Sequence, residues 1–132
     1  MIKVVLDTNV IVSSLLTSGP PAFIVDLIPN GKIIPFYTNL ILQEYFDVLS
    51  RKKFGFSTSQ VTRLIDDIVN IGITVEDKPS LKNIIVNKDD LIFYNAAVEA
   101  QSFLITGNIR HFPSESFIVT PAQFIKIYQG NS

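Results

Sequence analysis

The sequence predicts an α/β fold, a three-layer α/β/α sandwich around a central, mostly parallel sheet. Three observations carry this. Short β-branched runs such as "KVVL" lack the alternation of a half-exposed strand and suit strands covered on both faces. Stretches with apolar residues at helical spacing lie between them. Strands and helices alternate along the chain, and no internal repeat or low-complexity segment competes with that order.

The first strand covers residues 2–6, with Val4, Val5 and Leu6, and stops on Asp7. Val10, Ile11, Ser14 and Leu15 then suit a helix, so Asp7 stands at a strand-to-helix switch. Gly19-Pro20-Pro21 breaks the pattern, Ala22 to Ile28 forms a short second helix, and Pro29-Asn30-Gly31 turns the chain. "KIIPFYT" is the second strand. Thr38 or Asn39 caps the next helix, "LILQEYFDVLSRKKF", which spaces Leu40, Ile41, Tyr45, Val48 and Leu49 helically. A further helix runs from about Ser59 to Ile71, and "ITVE" reads as a short strand or edge. "NKDDLIFYNAAVEA" is a helix apolar almost all round apart from Asn95 and Glu99, which implies burial between other elements. "SFLITG" and "SFIVT" are the last strands, and Pro121 opens a closing helix where proline is best tolerated.

The length of 132 residues and a hydrophobic content of 47% suit one domain, residues 1–132, with a real core. No apolar stretch reaches the roughly 18 residues of a membrane span. The N-terminus enters the first strand with no basic leader, so a cytoplasmic protein without membrane contact is expected. The absence of Cys excludes disulfides and thiolate zinc sites, and a single His, His111, excludes multi-histidine sites. A metal would therefore be held mainly by oxygen. The net charge of −1 does not itself point to nucleic acid, and the one basic cluster, Arg51-Lys52-Lys53, reads most simply as a solvated helix end.

In parallel sheets, sites form where loops diverge at the carboxyl ends of strands. Asp7 ends one strand there, and Asn108 follows "LITG" at the same edge. Glu44 lies one turn into the helix after the second strand, at the border of its apolar face, and Asp90 opens the helix before "FLITG", with Asp89 in reserve. Carboxylates gathered at one dry edge repel unless a cation neutralises them, and Mg2+, or Mn2+ in its place, suits such a set. The chemistry implied is phosphoester hydrolysis. Each residue also has a plainer reading: Asp7 and Asp90 as helix caps, Glu44 and Asp89 as surface acids, Asn9 as a turn residue, and His111 as a packed loop residue.

Taken in order, "VVLDTNVIVSSLL", "LILQEYFDVL", "DDLIFYNAAVEAQSFLITGN" and "VTPAQF" resemble the PIN-domain family, in particular its small toxin-type members related to VapC. The resemblance covers essentially the whole chain. It implies a metal-dependent endoribonuclease, the toxin of a toxin–antitoxin pair, with Asp7, Glu44 and Asp90 as catalytic metal-binding acids. Thr8 and Asn9 match the polar pair that steadies the first acid, and Thr106 the hydroxyl residue before the last acidic position. The partners it implies are an RNA substrate, an antitoxin protein and a second copy in a homodimer. At 108, where many relatives carry Asp, this chain has Asn, which removes a negative charge and predicts one well-held ion.

Two rival readings remain. A phosphatase of the haloacid dehalogenase type needs a second Asp two residues after the first, and that position is Asn9. A catalytically weak PIN-fold module that binds RNA or a partner protein fits Asn108 and the balanced charge.

Overall fold

The structure, a computed structural model, describes residues 1–79 and 88–130. Its strands are β1 (Ile2–Leu6), β2 (Ile33–Tyr37), β3 (Ile73–Thr74), β4 (Phe103–Ile105) and β5 (Ile118–Val119). The helices are α1 (Thr8–Leu16), α2 (Pro20–Asp26), α3 (Asn39–Leu49), α4 (Thr58–Ile71), α5 (Lys88–Ala100) and α6 (Pro121–Gly130). A 3₁₀ turn at Ile109–His111, which the sequence pattern does not announce, separates β4 from β5.

Every strand pair is parallel, and the sheet order is β3-β2-β1-β4-β5. The chain therefore builds outward from β1 through β2 to β3, then crosses back to lay β4 on the other side of β1. The crevice between the carboxyl ends of β1 and β4 is the topological switch point, where open α/β sheets place their sites. Register fixes its walls: Leu6 pairs with Ile105, and the Asp7 amide donates to the Ile105 carbonyl at 3.0 Å.

Burial follows from the strand composition. Val4, Val5, Leu6, Leu104 and Ile105 are almost wholly buried, as strands covered on both faces require. On one helical group, α1 packs on α2 and α2 on α6; on the other, α3 packs on α4 and α5. α5 lies against β1, β2 and β4, and its buried run Phe93–Ala97 matches its apolar sequence, while Val98 and Glu99 reach solvent.

Several boundaries differ from the sequence reading for local reasons. α2 begins at Pro20, because consecutive prolines are accommodated in a first turn, where the missing N–H has no partner to lose. α3 stops at Leu49, so Arg51, Lys52 and Lys53 lie past its Ser50 cap on a turn and are not its last helical residues. Thr38, one of the two proposed caps, holds the N-terminus of α3 by accepting the Ile41 amide at 3.1 Å. Ser57 and Gln60 form a reciprocal capping box on α4. The predicted start of the penultimate helix at Asn87 lies outside the described residues. Among the described residues, no single helix is long and apolar enough to cross a membrane.

Candidate active site

Asp7 occupies the N-cap position of α1 with extended backbone, φ −64° and ψ 146°, yet its side chain makes no capping hydrogen bond. The plain cap reading therefore fails on geometry. Its Oδ2 instead accepts the Thr106 hydroxyl at 2.7 Å and the Asn9 side-chain amide at 3.3 Å. Both partners are themselves held. The Thr106 hydroxyl accepts the Asn108 backbone N–H at 3.0 Å, and Asn9 Oδ1 accepts the Gly107 N–H at 3.1 Å. The "DTN" and "TGN" triplets thus lock the end of β1 to the end of β4, with one carboxylate at the centre.

That carboxylate is 6% exposed. Burial, and then the neighbouring Asp90 charge, push its pKa above the ordinary value, while the Thr106 hydroxyl, the Thr8 amide and His111 act in the opposite sense. Asp90, in the first turn of α5, is raised chiefly by burial and also by Asp89, against the attraction of His111. His111 Nδ1 lies 3.4 Å from Asp90 Oδ2, but that oxygen is buried without a hydrogen-bond partner, so the contact is charge attraction across a long, poorly aligned gap. Thr8 Oγ1, beside Asp7, is likewise buried and unpartnered.

Glu44 is half-buried on α3. Its pKa is raised by burial first and then by Asp89 and Asp47, and lowered by Arg51. The acids thus form a row in which Glu44 is coupled to Asp89, Asp89 to Asp90, and Asp90 to Asp7. Among the described residues, no three His, Asp or Glu side chains converge closely enough to cage an ion. Asp7 and Asp90 come together, while Glu44 stands toward Asp89. The Asn108 side chain provides no cap for the 3₁₀ turn and is exposed.

The residues at the switch point fit a divalent cation on their own chemistry. Two interacting carboxylates, both made harder to ionise by burial, offer hard oxygen donors, and Asp90 Oδ2 has only the long 3.4 Å approach of His111 to satisfy it. Asp7 and Asp90 would hold such an ion, with water completing its sphere.

Two residues carry more than their sequence pattern announces. His111 is not packed in its loop: its side chain is 54% exposed, and the 3₁₀ turn brings it to Asp90. Tyr45 reads from the sequence only as an apolar helix position, but its hydroxyl donates to the Leu6 carbonyl at 2.5 Å, fastening α3 beneath the last residue of β1. Its ring stacks on Phe93 of α5 at 6.2 Å, and burial raises its phenol pKa well above the usual value. The signal available for Tyr45 was its place next to Glu44; nothing in the spacing of "NIRHFP" announced the 3₁₀ turn.

A parallel α/β sheet with two interacting carboxylates at its switch point, Asp7 buried and Asp90 partly buried, defines an α/β protein with an acidic candidate site. The chain belongs to the PIN domain family, whose model matches residues 3–110. PIN domains are generally nucleases, and they generally use divalent metals. The chain is 32% identical over 111 residues to the uncharacterized protein MJ1680 of Methanocaldococcus jannaschii, an alignment covering 81% of this chain and 71% of that protein. In fold it is similar to a chain of VapBC2 from Rickettsia felis, solved bound to a DNA fragment from its promoter. The TM-score is 0.56 at 15% identity, over 90% of this chain and 97% of that one.

Proposed function

We propose that this protein is a metal-dependent endoribonuclease that acts as the toxin of a toxin–antitoxin pair, with Mg2+ or Mn2+ as its cofactor. The observation that carries the proposal is the interacting Asp7–Asp90 pair at the switch point, Asp7 buried and Asp90 partly buried, with one Asp90 oxygen left without a well-formed hydrogen bond. Asp7 and Asp90 would hold the ion; Glu44 and Asp89, farther along the acidic row, would steer water and the entering strand. A bound divalent cation supplies an activated water and stabilises charge developing on the phosphate. Thr106 and Asn9 act on Asp7: their donated hydrogen bonds fix which way its carboxylate faces and favour its ionised form. Family membership supports the nuclease part of this reading, and the fold shared with VapBC2 supports the toxin part. An antitoxin protein and a second copy of the chain are the partners proposed with it.

The test is cleavage of a mixed set of structured RNAs with Mg2+, Mn2+ or EDTA, comparing the chain with Asp7→Asn after both are shown to be folded. Cleavage that requires metal and disappears in the variant is the expected result. A second reading, a catalytically weak PIN-fold module that binds RNA or protein, is favoured by the lack of a three-acid cage among the described residues and by the neutral Asn108. Absence of both cleavage and Mn2+ binding by calorimetry would select it.

A further inference from the structure

The turn joining α3 to α4 has a composition that the carboxylate site does not explain. Arg51, Lys52 and Lys53 are exposed, and among the described residues none forms an ion pair. The Phe54 and Gly55 amides donate to the Arg51 and Lys52 carbonyls, each at 3.2 Å, and Gly55 takes φ 64°, which a side chain would resist. That turn sets Phe54 and Phe56 face to face, with ring centroids 5.4 Å apart and planes 7° apart. Phe56 rests on the core, whereas Phe54 stays half-exposed and props flat upon it. The Lys53 ammonium lies 5.0 Å over the Phe54 ring.

A flat aromatic outside the core, next to three exposed basic residues that form no ion pair among the described residues, is the equipment of a single-stranded nucleic-acid platform: the ring stacks a base and the cations meet the flanking phosphates. A duplex does not fit this equipment, because its bases are not free to stack on a side chain. An exposed cation–π contact is weak, so an arriving base displaces Lys53 from the ring and leaves its ammonium free for a phosphate. Arg51 follows Glu44 by seven residues, just past the end of α3, and its charge is felt at Glu44. The turn and the acidic row are therefore joined by α3, which carries Glu44 and ends just before Arg51.

We infer that the turn 51–56 binds single-stranded RNA, with Phe54 stacking a base and Lys52 and Lys53 contacting phosphates, so that the adjoining nucleotides are led along α3 toward the carboxylates. The choice of RNA rests on the nuclease reading, but binding is measured without cleavage. The experiment is fluorescence anisotropy of labelled oligouridine with the full chain in EDTA, over a range of salt concentrations, with the fold of each variant checked by thermal melting. Wild type should bind. Phe54→Ala should weaken binding by about five- to a hundredfold, and Phe54→Tyr should restore it. The Lys52→Ala/Lys53→Ala pair should flatten the dependence of log affinity on log salt by about 1.4, two phosphates' worth for a single strand. Because those lysines are exposed, this arm stands even if the Phe54 variant is unstable. Wild-type affinity and slope in the folded variants, or no binding by wild type, would each overturn the platform. So would a Phe54→Ala effect on self-association with none on RNA. Cleavage that persists beside normal binding by the platform variants would remove the platform and keep the nuclease. Platform-dependent binding with no cleavage under any metal would do the reverse.

Discussion

Replacing Thr106 by Val removes one hydroxyl and little volume, which isolates what that hydroxyl does for Asp7. Thr106 is fully buried, its O–H donates to Asp7 Oδ2 at 2.7 Å, and its oxygen accepts the Asn108 amide at 3.0 Å. A hydrogen bond to an ionised group contributes about 1.5–3 kcal/mol, and the partly buried Asn108 amide adds up to about 1 kcal/mol when its acceptor goes. The expected loss of stability is thus about 2–4 kcal/mol, or a fall in Tm of roughly 10 °C for a chain of this size. The assay is urea unfolding at pH 8 without metal, run as a double-mutant cycle with Asp7→Asn. In the Asp7→Asn background the bond becomes a neutral one, contributing about 1 kcal/mol, so the cycle should return a coupling of about 1–2 kcal/mol. A cost below about 0.5 kcal/mol, or the same cost in both backgrounds, would refute the claim that Thr106 serves the Asp7 charge.

Asp7, Asp90 and Glu44 all have pKa values raised by burial, so above the ordinary carboxylate range the folded state holds protons that the unfolded chain has already lost. Their contribution to stability is present below that range and is lost as pH rises through the raised values; Tm without metal should therefore fall as pH rises above the ordinary carboxylate range. Mn2+ should flatten the fall, and an Asp7→Asn variant should show less of it, both read by differential scanning calorimetry. Asn108→Asp should tighten Mn2+ binding in titration calorimetry while lowering metal-free stability, since it adds a negative charge next to a row that already repels itself; no gain in affinity would count against a role for position 108 in metal binding. Gly72→Ala should destabilise the chain by several kcal/mol in chemical unfolding, because an added Cβ would collide with the Ile68 and Pro35 carbonyls at the point where α4 hands over to β3; a cost under about 1 kcal/mol would mean that the junction can open to admit it.

What could be read in advance divides along the range of the interactions involved. Strand and helix identities rest on local periodicity, and parallel pairing follows from their alternation, so "KVVL", "LITG" and the apolar helix "DDLIFYNAAVEA" lie where their composition puts them. The ends of α2 and α3 were less legible because a few local bonds decide them, such as those that close the turn after Ser50. The site was legible as a set of residue types and less so as a geometry. That Asp7 is not a cap depends on Thr106, 99 residues away, taking up its Oδ2. That Asp90 Oδ2 meets His111 at 3.4 Å depends on a 3₁₀ turn that no periodicity signals. The spacing of Glu44, one turn into α3, showed that it could face the acids but not which acid it would meet; the packing of α3 against α5, with Tyr45 fastened to Leu6, turns it toward Asp89. The electrostatic row is thus a product of helix packing. A sequence can show that carboxylates share an edge, whereas the order in which they repel one another is set only when the helices have docked.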